Sequence, residues 1–183
     1  MFRIQNKSDI ISSYQAGNRE FQHTILTAVN LTGINLRQIN LDESRLIEIN
    51  WSNCDLSDAS LKNTYLGLSN FQNCCLKYVN FQGADLESAN LVAANLAQAN
   101  LKNASLRQTN LRGANLQGAN LENVCLIGAI YDETTKFDLS FSPEKAEMVR
   151  LSSSLSHTKT EQNSDTIKKI WSWCRFSPFN LQS

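Results

Sequence analysis

Large apolar residues recur at every fifth position of the chain, from Phe21 to Tyr131, without exception. A smaller residue, most often alanine, stands two positions before each of them, and asparagine is the commonest residue one position before. The stretch from Ala89 to Leu121 shows the unit Ala-Asn-Leu-x-x most regularly. A period of five matches neither the 3.6-residue period of an α-helix nor the two-residue period of a plain strand.

If each five-residue unit is a short extended segment followed by a corner, all of the large apolar residues can be buried. In each unit the small residue and the large residue point inward, and the residue between them points outward. Two corner residues then turn the chain, so that four units complete a square coil and equivalent residues recur every 20 positions. Coils stacked by backbone hydrogen bonds at roughly 4.8 Å each would form a rod of about five and a half coils and about 26 Å.

These units resemble the Ala-[Asn/Asp]-Leu-x-x consensus of the pentapeptide-repeat proteins over residues 21–131. The resemblance implies an all-β solenoid, a right-handed quadrilateral β-helix of pentapeptide repeats with short α-helical caps. The flanks resemble those of cyanobacterial members of the family. Residues 10–21 resemble their leader, and residues 131–143 resemble their terminator.

The flanks divide the chain into four predicted segments. An open β-helix exposes its apolar stack and unpaired strand edges at both ends, so each end needs a cap. The segments are an N-terminal cap helix and leader over 1–20, the β-helix over 21–131, a C-terminal cap over 132–150, and a flexible linker with an aromatic and basic tail over 151–183.

Two short helices are predicted as caps. The first begins with Ser8 or Asp9 as its N-cap and ends at Gly17. The second begins with Ser142 and Pro143, which have the residue types of an N-cap and a first helical position. The predicted apolar residues are Ile10, Ile11 and Tyr14 in the first helix, Ala146, Met148 and Val149 in the second, and Phe137 and Phe141 against the last coil.

The C-terminal tail differs in character from the repeats. Residues 150–183 carry a net charge of +3, and the segment 166–176 combines basic and aromatic residues. One interpretation is a peptide anchor for a membrane surface or a protein groove. The other is a chain end whose aromatic residues fold back on the solenoid. The candidate tail contacts are Ile167, Ile170, Trp171, Trp173 and Phe176.

The charge balance disfavours nucleic acid as a partner. Lysine and arginine total 17, and aspartate and glutamate also total 17, so no global field draws the chain to a polyanion. The basic residues form no stripe for binding nucleic acid. Some members of the family that this chain resembles imitate duplex DNA and bind DNA gyrase. That role requires a strongly acidic rod. The repeats here carry seven basic and eight acidic residues, a net charge of −1.

Candidate chemistry is sparse. The histidines are His23 and His157 alone, too few for a metal site or a nucleophilic triad. Cys54 and Cys74 occupy equivalent inward positions in neighbouring coils, which predicts buried thiols, with a disulfide as the alternative. Five cysteines without a zinc pattern, and the lack of a signal peptide or spanning segment, favour a cytoplasmic protein. We therefore expect no enzyme, no cofactor and no small-molecule substrate.

One side of the predicted coil differs from the other three. The side centred on Leu26, Leu46 and Leu66 exposes apolar residues, whereas the others are mainly polar. Exposed apolar residues in neighbouring coils indicate a partner site, although scattered ones are normal on protein surfaces. Tyr65 is predicted to stack over Arg45. The candidate partner surface consists of Ile25, Arg45, Ile47, Tyr65, Leu68 and Ile127.

The sequence therefore predicts a non-enzymatic protein–protein interaction or scaffold module that could regulate a partner protein. The alternatives are a DNA mimic that binds DNA gyrase and a module tethered to a membrane surface through the C-terminal tail. Loss of membrane cosedimentation on deletion of residues 151–183 would favour the tethered module. A strongly acidic outer face would favour the DNA mimic.

Overall fold

A computed structural model of the protein describes residues 6–151. Within this range it contains one α-helix and four short strands. Strand β1 pairs in parallel with β2, and β3 pairs in parallel with β4. No helix within these residues combines the length and the apolar character needed to span a membrane. The elements in chain order are α1 (Lys7–Gln15), β1 (Ile25–Thr27), β2 (Arg45–Ile47), β3 (Ile130–Tyr131) and β4 (Val149–Arg150).

Residues 20 positions apart pair throughout the repeats. Leu26 pairs with Leu46 in the β1–β2 sheet, and isolated parallel bridges such as Tyr65 to Asp85 continue the same register. The Leu46 amide donates to the Tyr65 carbonyl at 2.8 Å, and the Tyr65 amide donates to the Ser44 carbonyl at 2.9 Å. The predicted spacing of four units is confirmed, and we call each run of four units a coil.

The extended segments are very short. Outside the two small sheets, adjacent coils meet through single bridged residues. The reason is the corner in each unit, where the second residue after the large apolar residue has a left-handed backbone. Examples are Asn53 with φ 58°, Tyr78 with φ 58° and Gly83 with φ 67°. A corner in each five-residue unit leaves little room for a longer strand.

The large apolar residues form the core, as the period predicts. Every member of the five-residue series from Leu31 to Leu116 is at most 1% exposed. The ring of Trp51 lies parallel to that of Phe71 at 6.0 Å between centroids, and Phe81 meets Phe71 edge-on at 6.1 Å. The aromatic residues therefore replace leucine in neighbouring coils without leaving the core.

Asparagine is common before the large residues because its side chain serves both the corner and the next coil. The Val92 amide donates to Asn90 Oδ1 at 3.2 Å, which stabilises the turn within one unit. Asn90 Nδ2 donates to Asn70 Oδ1 at 3.0 Å, and Asn70 Nδ2 donates to Asn50 Oδ1 at 3.2 Å. These amide ladders connect outward side chains of successive coils.

Helix α1 precedes the first coil. Its N-cap is Asn6, whose side chain accepts from the Asp9 amide at 3.1 Å, so the predicted N-cap at Ser8 or Asp9 is wrong. The helix begins earlier because the asparagine oxygen reaches an amide of the first turn. Gly17 follows the helix with φ 94°. Ile10 is fully buried, and Ile11 and Tyr14 are half-buried.

The C-terminal cap is a turn, and the helix predicted there is wrong. The Met148 amide donates to the Pro143 carbonyl at 3.1 Å. Glu147 then has a left-handed backbone with φ 55°, after which Val149 pairs with Ile130. A helix cannot continue because the chain returns to the edge of β3. The predicted apolar residues Ala146, Met148, Phe137 and Phe141 still pack against the core, and Val149 is half-buried.

Asp132 holds the corner after the last repeats. Its Oδ1 accepts from the amides of Gly113, Thr134 and Thr135 at 3.0–3.1 Å. Burial raises the pKa of the Asp132 carboxyl, but hydrogen bonds from Thr134, Gly113 and Thr135 outweigh burial and hold the pKa below its usual value of 3.8. The ionised carboxylate is therefore the form that stabilises this corner.

The inward register can be tested at Leu96, which is fully buried. We expect Leu96→Lys to lower the free energy of unfolding by several kcal/mol, because it buries a charge without a partner. The matched control is Ala97→Lys at the next, outward position, with an expected change within about 0.5 kcal/mol. Urea unfolding followed by circular dichroism measures both. Equal midpoints for the two variants would contradict the register.

The Asp132 corner predicts a pH-dependent stability. Because the pKa is lower in the folded than in the unfolded chain, the carboxylate stabilises the fold above its ordinary pKa, and this contribution disappears as the pH falls through the folded pKa. We expect Asp132→Asn to be less stable than the parent at neutral pH. Urea unfolding over a pH series should show the difference shrinking below pH 3.8. A difference independent of pH contradicts this role.

Candidate functional site

The first three coils bring together five of the predicted surface residues. Ile25 pairs with Arg45, and Arg45 bridges to Tyr65, so these three residues form one outward row across successive coils. Ile47 lies two positions after Arg45 in β2, and Leu68 lies at the corner three positions after Tyr65. We call these five residues the Tyr65 cluster.

The apolar side chains of the Tyr65 cluster are accessible. Ile25 is 68% exposed, Leu68 is 61% exposed and Tyr65 is 54% exposed. Ile47 is half-buried. The guanidinium carbon of Arg45 lies 5.7 Å from the centroid of the Tyr65 ring, within the range of a cation–π contact. The cluster is therefore a continuous patch, in which the predicted pairing of Arg45 with Tyr65 is present.

Ile127 lies apart from the Tyr65 cluster. It is 42% exposed, but Glu87 and Arg107 occupy the equivalent positions between it and the first three coils. Two further apolar side chains are exposed elsewhere, Tyr78 on another side and Leu139 in the C-terminal segment. The repeat pattern did not single out Leu139, because that residue lies after the last unit.

Gly67 leaves a notch within the Tyr65 cluster. Among the repeats, glycine stands directly after the large apolar residue at this position alone. The equivalent residues in the adjacent coils are Ile47 and Glu87, and Tyr65 and Leu68 flank the gap. A Cβ at Gly67 would meet only the Glu87 carbonyl oxygen, at 3.6 Å. Sequence reasoning missed this notch, although the single glycine in that column was a visible signal.

Leu68 occupies a backbone conformation that is unfavourable for leucine. Its φ is 60°, in the left-handed region that costs most residues roughly 1–2 kcal/mol relative to the right-handed one. Asparagine, which tolerates this region better, stands at equivalent corners such as Asn53 and Asn73. Tyr78, with φ 58° and 62% exposure, is in the same situation on another side, so the left-handed corner is a feature of the repeat and Leu68 differs in lying beside Tyr65.

Acidic residues border the Tyr65 cluster. Glu48 adjoins Ile47, Asp85 bridges to Tyr65, and Glu87 follows Gly67 in its column. Asp85 Oδ1 accepts from the Glu87 amide at 3.0 Å. Within residues 6–151, none of these three carboxylates belongs to an ion pair. The ion pairs found there use Glu43, Asp55, Asp58, Asp42 and Glu122.

The inward cysteines are buried thiols, as predicted. Cys54 and Cys74 are both free and buried, and Cys54 Sγ donates to the Leu31 carbonyl at 2.9 Å. Burial raises the pKa of both thiols. Over the described range, no group of histidine, cysteine, aspartate and glutamate is arranged to hold a metal ion.

The predicted tail contacts fall beyond the part of the chain that the structure describes, which ends at residue 151. These residues are Ile167, Ile170, Trp171, Trp173 and Phe176.

The repeats match a known family. The family model for pentapeptide repeats, in eight copies, matches residues 34–73, 54–91, 68–99 and 94–130. The chain belongs to the pentapeptide-repeat family. Pentapeptide-repeat proteins fold as right-handed quadrilateral β-helices, and they are generally non-enzymatic structural or interaction modules. No curated protein matches this pentapeptide-repeat chain significantly.

Solved pentapeptide-repeat structures are similar to this chain. HetL from Nostoc sp. strain PCC 7120, involved in heterocyst differentiation regulation, is 19% identical with a TM-score of 0.35 over 79% of this chain and 92% of its own. Rfr23 from Cyanothece 51142 is 29% identical with a TM-score of 0.31 over 72% and 99%. A thylakoid-lumen protein of Arabidopsis thaliana is 23% identical with a TM-score of 0.38 over 58% and 70%. Family membership rests on the match to the family model.

The backbone at Leu68 predicts a stabilising substitution. We expect Leu68→Asn to raise the free energy of unfolding by about 0.5–1 kcal/mol, because asparagine tolerates the left-handed region and little apolar burial is lost. Tyr78→Asn, at a left-handed corner with φ 58° on another side, is the matched control and should stabilise similarly. Thermal and urea unfolding measure both changes. Destabilisation by Leu68→Asn would show that Leu68 serves the fold.

Proposed function

We propose that this chain is a right-handed quadrilateral β-helix that acts as a non-enzymatic protein-interaction module, with the Tyr65 cluster as its contact surface. The observation that carries the proposal is the exposure of Ile25, Tyr65 and Leu68 within three successive coils, with Arg45 between Ile25 and Tyr65. Contiguous exposed apolar patches are typical of sites that bind other proteins.

The frame beneath the cluster favours such a role. The Leu46 amide is bonded to the Tyr65 carbonyl, and the Arg45 amide is bonded to the Thr24 carbonyl at 2.9 Å. The side chains of the cluster therefore project from backbone that the coils already hold in place. A surface ordered before binding loses less conformational entropy on association. Tyrosine and arginine, both present in the cluster, are enriched among residues that dominate binding energy.

The corner at Leu68 supports the same conclusion. A leucine that is 61% exposed, with φ 60°, is unfavourable for solvation and for the backbone. Natural proteins retain such features where function requires them, at some expense of stability. Tyr78, with φ 58° and 62% exposure, shares both features, so what distinguishes Leu68 is its place beside Tyr65.

The alternatives have less support. A net charge of −1 over residues 21–131 does not imitate the dense negative charge of duplex DNA, which weakens the proposal of a DNA mimic that binds gyrase. Part of the acidic charge is also neutralised, since Asp42 and Asp58 lie 3.1 Å from Lys62 Nζ and 2.9 Å from Arg37 Nη2. Tethering through the tail depends on residues outside the described range.

Site-specific crosslinking tests the proposed contact surface. A photoreactive amino acid placed at Leu68 in the full-length protein should form a discrete protein adduct in its native cells, and the same amino acid at Tyr78 should not. The adduct should be lost when Tyr65→Glu is added, because a charge then replaces the apolar ring. Circular dichroism checks that each variant folds. Identical adducts from the two positions, or an adduct indifferent to Tyr65→Glu, would contradict the proposal.

A further inference from the structure

The notch over Gly67 and the acidic residues around it indicate the chemistry of the partner. We propose that the Tyr65 cluster binds a protein segment in which one large apolar side chain fills this notch and lysine or arginine residues flank it. This inference rests on the proposed function and goes further, because it specifies what the partner presents.

The notch corresponds to the side chain that Gly67 lacks. Gly67 stands between Ile47 and Glu87 in its column, two coil spacings or about 10 Å apart. Tyr65 and Leu68 form the remaining walls. A Cβ built at Gly67 meets only the Glu87 carbonyl oxygen, at 3.6 Å, so the space that a side chain would occupy is open, and three of the four surrounding residues are apolar. Filling such a gap removes apolar surface of both partners from water.

The floor of the notch offers a backbone donor. In units with asparagine or aspartate before the large apolar residue, the amide after that residue donates to the side chain two positions earlier, as Gln72 donates to Asn70 Oδ1 at 3.1 Å. Tyr65 has no acceptor in that position, and the Gly67 amide, like those of Lys77 and Arg107, has no hydrogen-bond partner among residues 6–151. A main-chain carbonyl of an inserted segment would satisfy this amide, which favours a peptide over a purely apolar ligand.

The rim determines the flanking charges. Glu48, Asp85 and Glu87 have no ion-pair partners in the described range, and Arg45 lies against the Tyr65 ring. Three carboxylates therefore border the notch against the guanidinium groups of Arg45 and of Arg107, which follows Glu87 in its column, so the border keeps a net negative charge. Lysine or arginine on both sides of the inserted residue complements this border, and acidic flanks would be repelled.

Gly67 also permits a precise blocking variant. Its φ lies outside the left-handed region, and a Cβ there meets only an ordinary contact at 3.6 Å. Glutamine occupies the equivalent position in other units, at Gln72 and Gln82. Gly67→Gln should therefore fold normally and fill the notch without altering charge. Ala97→Gln, at the equivalent outward position on another side, is the matched control.

Selection from a random peptide library displayed on phage, with the full-length protein as bait, tests the partner chemistry. We expect enriched peptides to share a large apolar residue flanked by lysine or arginine. Fluorescence polarisation with a synthetic peptide of the enriched sequence should show about a tenfold loss of affinity for Gly67→Gln. Ala97→Gln should bind like the parent.

The charge requirement has its own variant. Combining Glu48→Gln, Asp85→Asn and Glu87→Gln should weaken binding of the same peptide and reduce its dependence on salt concentration, because the ionic contribution is screened by salt. Unchanged affinity and salt dependence in this triple variant would overturn the basic-flank requirement. Thermal unfolding confirms that the variant keeps its fold.

The outcomes separate this inference from the proposed function. Enriched peptides that are acidic or wholly polar, yet are lost on Tyr65→Glu, contradict the partner chemistry and support the contact surface. Peptides that bind Gly67→Gln as well as the parent contradict insertion into the notch. A selection that enriches no peptide dependent on the Tyr65 cluster contradicts both proposals.

Discussion

The backbone hydrogen bonds between adjacent coils are the constraint on which the rest of the structure depends. Each coil contributes amides and carbonyls to the coils on both sides of it, as Leu46 donates to Tyr65 and Tyr65 donates to Ser44. This register keeps every leucine over the equivalent residue of the next coil. It also places each outward side chain over another outward side chain. The core and the surface are therefore organised by the same hydrogen bonds.

The surface of such a protein is a set of columns whose members can change one at a time. Where a column contains asparagine, as at Asn50, Asn70 and Asn90, the side-chain amides donate hydrogen bonds to one another along the column. The column that contains Arg45 and Tyr65 has no asparagine and therefore no such ladder, and apolar surface is exposed there. The Tyr65 cluster thus alters the repeat where the core does not require it, since the leucines beneath stay buried. The direction in which a side chain points therefore decides whether it contributes to the core or to the surface.

Much of the fold could be predicted because the period of five assigns a direction to each residue. The burial of Leu96, the pairing of Arg45 with Tyr65 and the buried thiol of Cys54 all follow from the position of the residue in its unit. The ends could not be predicted in this way, because they lie outside the repeat. At Pro143 local residue types favoured a helix, but pairing of Val149 with Ile130 produced a turn. A long-range contact there outweighed the local preference.

The sequence by itself determined the repeat, its register of four units per coil and the identity of the inward and outward positions, because a square coil buries the large apolar residue of each unit. Only the tertiary structure decided which outward residues lie together and how exposed they are. Ile127 shares a side with Ile47, yet Glu87 and Arg107 stand between them. Gly67 becomes a notch only when coils on both sides supply Ile47 and Glu87 as walls. The physical reason is that neighbouring residues on the surface come from different coils. The repeat itself specifies only which residues of each coil point into the core.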